Sequence, residues 1–399
     1  MPSIDGDRVI GDLKRLAEFG RYKSGVHRPT YSAEDMAARH WLAEQFAVAG
    51  LDSVIDGIGN VIGRNRRAGP LLLVGSHSES QPHGGWLDGA LGVVYGLELV
   101  RIGLAVDAVA WADEEGHYGN MLGSRSFTDG LAAAEIDGAR SRDGVPLRQA
   151  LAAAGLAARG CERVDPGRYV GYLEAHIEQG DTLDRGGLRI GIVDAIIGNW
   201  NYRVTLTGEQ NHAGTTQMSR RRDAGVAMVR LAAHIHDRFA EIAGPRSVWT
   251  IGRMLLDPNA PSIVPGRAEM QVQFRDTDTA ILARFEQELL ALVAAADRAG
   301  PCRAAITPLS RSEPAAMDER FQEMIAAAAE RHAPGRYLRM PSGAGHDAQV
   351  LSRRLRSAMM FVPSLGGISH HWAEDTKEED IVLGAQVFAD SAALILAAA

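Results

Sequence analysis

The pattern of apolar and polar residues divides the chain into two kinds of segment. Short continuous apolar runs predict buried strands, whereas longer stretches with apolar residues three or four positions apart predict helices. In the first half, the pattern predicts helices at 9–19, 32–49 and 90–102, two further helices within 132–159, strand and turn at 51–63, and strands at 71–75, 106–112 and 170–177. Ser32 is a predicted N-cap, and Gly50 is a predicted helix stop. The alternation of predicted strands with predicted helices indicates an α/β sheet with helices on its faces.

The pattern changes near Trp200, where strictly alternating apolar and polar residues replace the continuous apolar runs. From here the predicted elements are a strand at 201–208, a helix at 223–242, strands at 247–255 and 267–275, a helix at 279–299 and a strand at 303–309. This is the element order of a ferredoxin-like unit. We therefore predict an inserted α+β domain at 199–312, within a discontinuous α/β domain formed by 1–198 and 313–399.

Composition and charge narrow the class of protein. The 399 residues are 46% apolar and 23% charged, with a formal net charge of −8. These values are typical of a globular protein and disfavour binding to nucleic acid or to a membrane surface. Two cysteines are too few for a disulfide framework or a thiolate zinc site. The sequence shows neither a signal peptide nor about 18 uninterrupted apolar residues, so we expect a cytoplasmic location.

Histidines and carboxylates collect where the predicted strands end. They are His77, Asp88, Glu114, Glu115, His176, His370 and His371. Ligands bind at the carboxyl ends of strands in open α/β sheets, and imidazole with carboxylate but no thiolate suits zinc, manganese or cobalt. Two histidines and one carboxylate are enough for one catalytic metal, and the whole set is enough for two metals that share a bridging carboxylate. Such a pair, about 3.5–4 Å apart, can acidify a water, and Glu114 could then act as general base.

The segments around these residues resemble a known family. The sequence looks like the M20 metallopeptidase superfamily, specifically its hydantoinase/carbamoylase-type amidases, the branch of N-carbamoyl-L-amino acid hydrolases, β-ureidopropionases and allantoate amidohydrolases. The matching segments follow the order of the family across nearly the whole chain, at 75–77, 84–89, 113–116, 176–180, 211–216, 341–348 and 366–370. The segment His176-Ile-Glu-Gln-Gly180 resembles this branch rather than the peptidases. The resemblance implies a mixed-sheet, zinc-peptidase-like catalytic domain whose inserted ferredoxin-like α+β domain serves as lid and dimerisation domain.

The resemblance also implies a role for each metal ligand. Two divalent ions per subunit are expected, zinc first, with manganese or cobalt as alternatives. Asp88 would bridge them, His77 and His176 would bind one ion, and Glu115 and His370 would bind the other. Glu114 would be the general base. His371 is a rival to His370, because a shift of one residue in the alignment exchanges them.

Other residues are implied as substrate contacts. His212, on the inserted domain, would reach the active site of the partner subunit and stabilise the oxyanion there, with the capping of its own turn as the alternative role. Arg275 would hold a substrate carboxylate, for which a guanidinium is well suited, unless it pairs with a neighbouring aspartate of the lid. Gln179 and His346 would lie close to the substrate. Ser262 stands where the family usually has a substrate-binding asparagine.

Two further features depart from the family pattern. Glu79 replaces the aspartate that usually steadies the first histidine, so the orientation of His77 is in question. The bulky residues Trp86, His83 and Trp372 flank the ligand segments and suggest a pocket for a flat or aromatic group.

The sequence therefore predicts a dinuclear metal-dependent amidohydrolase. Its expected substrate is a small molecule with a carboxylate, an N-carbamoyl-L-amino acid or a related ureido or N-acyl acid, cleaved at a linear, non-peptide C–N bond. We expect a homodimer through the lid. The alternatives are a dipeptidase or N-acyl-amino-acid hydrolase of the same superfamily and, in another class, a non-catalytic protein that binds metal or ligand.

Overall fold

The computed structural model describes residues 2–399 and divides them into two compact units. The first comprises the described residues up to Asp194 together with Ala316–Ala399, and the second is Ala195–Ala315. The second unit thus begins at 195 where the sequence predicted 199, and ends at 315 where the sequence predicted 312.

The helices and strands are numbered in chain order. The helices are α1 (Gly6–Ala17), α2 (Ala33–Val48), α3 (Ala90–Arg101), α4 (Leu122–Thr128), α5 (Ala133–Gly138), α6 (Leu147–Ala153), α7 (Thr182–Gly186), α8 (Ala224–Ile242), α9 (Thr279–Ala299), α10 (Glu319–His332), α11 (Asp347–Leu351) and α12 (Glu378–Ala397). The strands are β1 (Arg21–Tyr22), β2 (Gly25–Val26), β3 (Asp52–Ile55), β4 (Val61–Arg64), β5 (Leu71–His77), β6 (Val106–Trp111), β7 (Tyr169–Ile177), β8 (Ile190–Ile196), β9 (Gly198–Thr207), β10 (Asn211–His212), β11 (Val248–Asp257), β12 (Ile263–Val264), β13 (Arg267–Asp276), β14 (Arg303–Ser312), β15 (Ala315–Ala316), β16 (Tyr337–Ser342) and β17 (Ser357–Val362).

A mixed nine-stranded sheet forms the centre of the first unit. Its order is β15-β8-β17-β7-β5-β6-β4-β3, with β16 also paired to β8. The central strands β17, β7, β5 and β6 run parallel, while β4, β3 and β8 pair in the antiparallel sense. Every residue of β5 and β6 is buried, as expected for parallel strands covered on both faces. The predicted α/β class with a mixed sheet is confirmed.

The second unit is an antiparallel sheet covered by two helices. Its strand order is β11-β13-β9-β14, and α8 and α9 pack on it. Strand β9 alternates buried and half-exposed residues, which is the pattern that the sequence displayed. Aromatic rings fill this core, with Phe239 and Phe285 only 4.5 Å apart between ring centroids.

Helix α12 is long and apolar enough to cross a membrane by length and composition alone. In the structure, 61% of its most apolar 18-residue window is buried inside the protein. It packs against α10, β17 and α1. Its apolar character therefore serves the core of the first unit.

Candidate metal centre

The parallel strands bring the predicted ligands to one edge of the sheet. Strand β5 pairs with β6 on one side and with β7 on the other, in parallel in both cases. His77 is the last residue of β5, His176 is the last but one of β7, and Glu114 and Glu115 follow β6. Because parallel strands end at the same edge, residues far apart in sequence converge there.

The first ligand group consists of His77, Asp88 and His176. The Nε2 atoms of the two histidines lie 3.5 Å apart, and His176 Nε2 lies 3.1 Å from Asp88 Oδ1. The Nδ1 atoms face main-chain carbonyls, His77 that of Glu79 at 3.2 Å and His176 that of Ile177 at 3.1 Å. These carbonyls accept hydrogen bonds from Nδ1–H of each ring, so that Nε2 is the nitrogen directed into the group.

The second ligand group consists of Asp88, Glu115 and His370. His370 Nε2 lies 3.3 Å from Asp88 Oδ2 and 3.6 Å from Glu115 Oε2. Gln81, which the sequence analysis did not single out, orients Glu115 by donating from its main-chain nitrogen at 3.0 Å and from Nε2 at 2.9 Å. The sequence offered no signal for Gln81 beyond its place in the loop after His77.

Asp88 belongs to both groups, and each of its oxygens faces a different histidine. It is 5% exposed and precedes Gly89, whose φ of +68° is in the left-handed region. A Cβ at position 89 would also lie 2.4 Å from the ring of His77. Glycine is therefore required for the turn that places the Asp88 carboxylate between the two groups.

The donors fit divalent cations in type and in charge. Burial lowers the pKa of His176 to about 4, so this imidazole stays neutral and can act as a ligand. For His77, burial opposes protonation, but Glu79, Asp88 and Glu115 outweigh it and raise the pKa to about 9. The hydrogen bond to Asp88 raises the pKa of His370 to about 9. The carboxylates thus attract positive charge strongly, and the same field favours bound cations.

Glu114 lies beside the first group without belonging to either. Its Oε2 is 3.7 Å from His77 Nε2. Burial, followed by the charges of Glu115, Asp347 and Asp88, raises the pKa of Glu114 well above its usual value. A raised pKa allows a carboxylate to take up a proton during a reaction, whereas bound cations would lower it again.

Glu79, the departure from the family pattern, supports the site through the main chain. Its carboxylate lies 3.9 Å from His77 Nδ1, which instead faces the Glu79 carbonyl. One oxygen accepts the N–H of Glu114 at 2.6 Å, and the other pairs with Arg39 at 2.8 Å. Arg39 is fully buried and also pairs with Asp35 at 2.9 Å. The longer side chain therefore links the segment after β6 to helix α2, a link that sequence reasoning missed because Arg39 lies on a distant helix.

We expect Arg39→Met to reduce the free energy of unfolding by about 3–5 kcal/mol, because Asp35 and Glu79 would remain buried with unpaired charges. Urea unfolding followed by tryptophan fluorescence measures the change. The matched control is Arg66→Met, since Arg66 pairs with Asp52 on the surface and its loss should leave the transition unchanged. Equal stabilities of the two variants would contradict a stabilising role for the buried pair.

Gln179 and His346 contact the ligand groups in different ways. Gln179 Nε2 lies 3.2 and 3.1 Å from the two oxygens of Asp88 and 3.3 Å from His370 Nε2. His346 is 1% exposed, and its ring centroid lies 4.6 Å from that of His176. Ser342 Oγ lies 2.8 Å from its Nε2. In this structure Gln179 is at the ligand groups themselves, whereas His346 packs behind His176.

His370, not His371, faces the ligand groups. Its φ of +53° is unusual for a residue with a side chain. His371 accepts the N–H of Ala373 with Nδ1 at 3.2 Å, and its ring is tilted against that of Trp372, with 4.8 Å between the ring centroids. Trp372 in turn lies under Lys23, 4.1 Å from its Nζ, and His83 stacks on Tyr22. Trp372 and His83 thus pack on the β1–β2 hairpin.

Three predicted residues belong to the second unit. His212 Nδ1 accepts the N–H groups of Gly214 and Thr215 at 2.9 and 3.1 Å, so its ring caps the turn. Strand β10 pairs His212 with Ile263 of β12. The next residue, Ala213, donates its N–H to the carbonyl of Ser262 at 3.0 Å, so Ser262 lies beside the turn that follows His212. Arg275 lies on β13 and donates from Nε to Gln273 at 3.1 Å.

This fold, with two groups of candidate metal ligands at the sheet edge, is typical of a class of hydrolases. The sequence model of peptidase family M20/M25/M40 matches residues 83–393, and the chain belongs to this family. It is 33% identical over 394 residues to an allantoate amidohydrolase of Bacillus subtilis (strain 168), covering 95% of each chain. It is 33% identical over 411 residues to an N-carbamoyl-L-amino acid amidohydrolase of Geobacillus stearothermophilus, covering 96% of this chain and 97% of that one.

Comparison with a solved structure supports the same family and fold. An amidase of the hydantoinase/carbamoylase family from Burkholderia phymatum matches with a TM-score of 0.91 and 45% identity, covering 100% of this chain and 99% of that one. The predicted family and fold class are confirmed. The chain is a hydrolase of carbon–nitrogen bonds other than peptide bonds.

Proposed function

We propose that the protein is a dinuclear amidohydrolase that removes the carbamoyl group from N-carbamoyl-L-amino acids with an uncharged side chain. The observation that carries this proposal is the position of Asp88. Its two oxygens face two histidines, His176 at 3.1 Å and His370 at 3.3 Å, which belong to separate ligand groups. Two divalent cations, zinc by preference, would be held by these groups and would supply Lewis acidity toward water and the substrate carbonyl.

The protein's own groups move the proton and stabilise the developing charge. Glu114 takes a proton from the attacking water and returns it to the departing nitrogen. Because His212 Nδ1 accepts two N–H groups, its proton resides on Nε2, which can donate to an oxyanion. We propose that Arg275 and Ser262 bind the substrate carboxylate, and that Gln179 binds the carbamoyl group.

A cavity beside the ligand groups supports an uncharged side chain. It has a volume of about 760 Å³ and is lined by residues of the first unit, among them Gln179, His370, Leu338, Met340 and Phe361.

The charged residues around this cavity are already engaged. Glu178 accepts the N–H groups of Thr182 and Leu183 at 2.9 and 2.8 Å, and Arg339 pairs with Glu323 at 2.7 Å. A charged substrate side chain would therefore lose its hydration without gaining a partner. This supports N-carbamoyl derivatives of methionine or phenylalanine over those of aspartate or lysine, and over allantoate, whose second ureido group needs hydrogen bonds.

Dimerisation through the second unit stays a prediction. Within that unit, the edge strand β11 exposes Val248, Met254 and Leu255, at 56%, 45% and 45% of their surface. An edge strand with exposed apolar residues offers both hydrogen bonds and apolar area to a second copy of the chain.

The test is hydrolysis by the Zn²⁺-loaded protein of a substrate panel. N-carbamoyl-L-methionine, N-carbamoyl-L-aspartate, β-ureidopropionate and allantoate are followed by ammonia release, and N-acetyl-L-methionine and a dipeptide by release of free amine. We expect ammonia release that a chelator abolishes, with kcat/KM at least about tenfold higher for the methionine than for the aspartate derivative, since burial of an unpaired charge is costly.

Three other outcomes would each contradict one part of the proposed function. Faster cleavage of the N-acetyl substrate or the dipeptide would contradict the carbamoyl assignment in favour of the related hydrolases. A preference for allantoate or the aspartate derivative would contradict the proposed role of the cavity. Activity that survives the chelator would contradict the role of the two ligand groups.

A further inference from the structure

We propose that Glu374 is a positioning residue that holds the loops of Asp88 and His370 in register for cation binding. The inference rests on the proposed two-cation site and adds a residue outside both ligand groups. Glu374 is 1% exposed and lies four positions after His370 in the sequence.

The carboxylate of Glu374 joins two segments that are distant in sequence. Oε1 accepts the main-chain N–H groups of Leu87 and Asp88 at 3.2 and 3.1 Å. Oε2 accepts the hydroxyl of Ser369 at 2.9 Å. One side chain therefore fixes the main chain of the bridging carboxylate and the residue next to His370.

The surroundings leave little freedom for this carboxylate. A Cβ at Gly85 would lie 1.9 Å from both Cδ and Oε1 of Glu374, so only glycine at position 85 leaves room for it. The N–H of Glu374 donates to the carbonyl of His371 at 2.9 Å, which closes the loop on itself. A carboxylate held in this way transmits its position to the groups that it binds.

The link made by Glu374 explains how the unusual backbone conformation of His370 is maintained. A φ of +53° costs energy for a residue with a side chain and persists only where the surroundings enforce it. The bond from Ser369 to Glu374 anchors the preceding residue. Without it, we expect the loop to relax and His370 to move away from Asp88 and Glu115.

The test compares Glu374→Ala and Ser369→Ala with wild type. Zn²⁺ is titrated into metal-free protein against a chromophoric chelator, and kcat and KM are measured for N-carbamoyl-L-methionine. We expect Glu374→Ala to weaken the affinity for at least one Zn²⁺ by about 10- to 100-fold, with kcat reduced more than KM is changed. Ser369→Ala, which removes a single bond and should fold, is expected to weaken the same affinity by a smaller factor.

The control is Asp390→Ala. Asp390 is also a fully buried carboxylate of the first unit, and it pairs with Arg331 and His332. This variant should lower the thermal midpoint without changing Zn²⁺ affinity. The inference is overturned if both test variants bind Zn²⁺ within about twofold of wild type. Failure of the wild-type protein itself to bind Zn²⁺ would overturn the proposed function and this inference together, whereas loss of binding in the variants alone supports both.

Discussion

Replacing Glu114 with glutamine is expected to lower kcat by about 10²- to 10⁴-fold, the usual contribution of a general base. Glutamine has nearly the same shape as glutamate but cannot accept the proton of the attacking water. The N–H of residue 114 still donates to Glu79, so the local main chain should be unchanged. Because Glu114 belongs to neither ligand group, metal content should stay at the wild-type value.

Steady-state kinetics and elemental analysis of the same preparation check this expectation. The matched control is Glu44→Gln, an exposed glutamate on helix α2, which should leave both values unchanged. A Glu114→Gln variant with wild-type activity would exclude Glu114 as the base. A wild-type protein that binds metal and ligand but hydrolyses nothing would favour the non-catalytic alternative.

Replacing Asp88 with asparagine is expected to reduce both activity and metal content. The neutral amide removes the negative charge that the two groups share, and it offers only one oxygen where Asp88 presents two. We expect fewer than two ions per subunit, and kcat reduced by more than about 10³-fold, because in the proposed site Asp88 would support both cations at once.

The pKa of His370 gives this prediction a second readout. The bond to Asp88 is the largest cause of its rise to about 9. In the metal-free variant, the pKa of His370 should fall toward its ordinary value, so the ring loses its proton at a lower pH than in metal-free wild type. Titration followed by NMR of the histidine ring protons measures this shift. Two tightly bound ions in Asp88→Asn, with His370 unshifted, would contradict the bridging role.

The sequence predicted long elements better than short ones. The predicted bounds of 279–299 agree with those of α9, and Ser32 caps α2 by accepting the N–H of Asp35. These helices have many apolar residues at regular spacing and clear end signals. The two-residue strands β1 and β2 are too short to display a period. Strand β16 contains Pro341, and because proline cannot donate a ladder hydrogen bond, its presence disfavours a strand in the sequence pattern.

Several of the candidate ligands could be predicted because they lie at the ends of strands or just after them. A strand that ends in histidine or carboxylate carries the signal within a few residues, as at His77, His176 and the Glu114–Glu115 pair. Gln81, Arg39 and Glu374 gave no such signal, since each acts through a hydrogen bond or ion pair with a residue on another segment. Their roles depend on distances that no local pattern encodes.

The sequence by itself determined the family, the fold class and the chemical type of the candidate ligands, because periodicity and strand-end residues are local properties of the chain. Only the tertiary structure decided that Asp88 presents one oxygen to each group and that His370 faces them instead of His371. It also decided that Glu79 acts through the N–H of Glu114 and through Arg39. The physical reason is that these relations depend on how parallel strands and distant loops pack together, and packing is set by the whole fold.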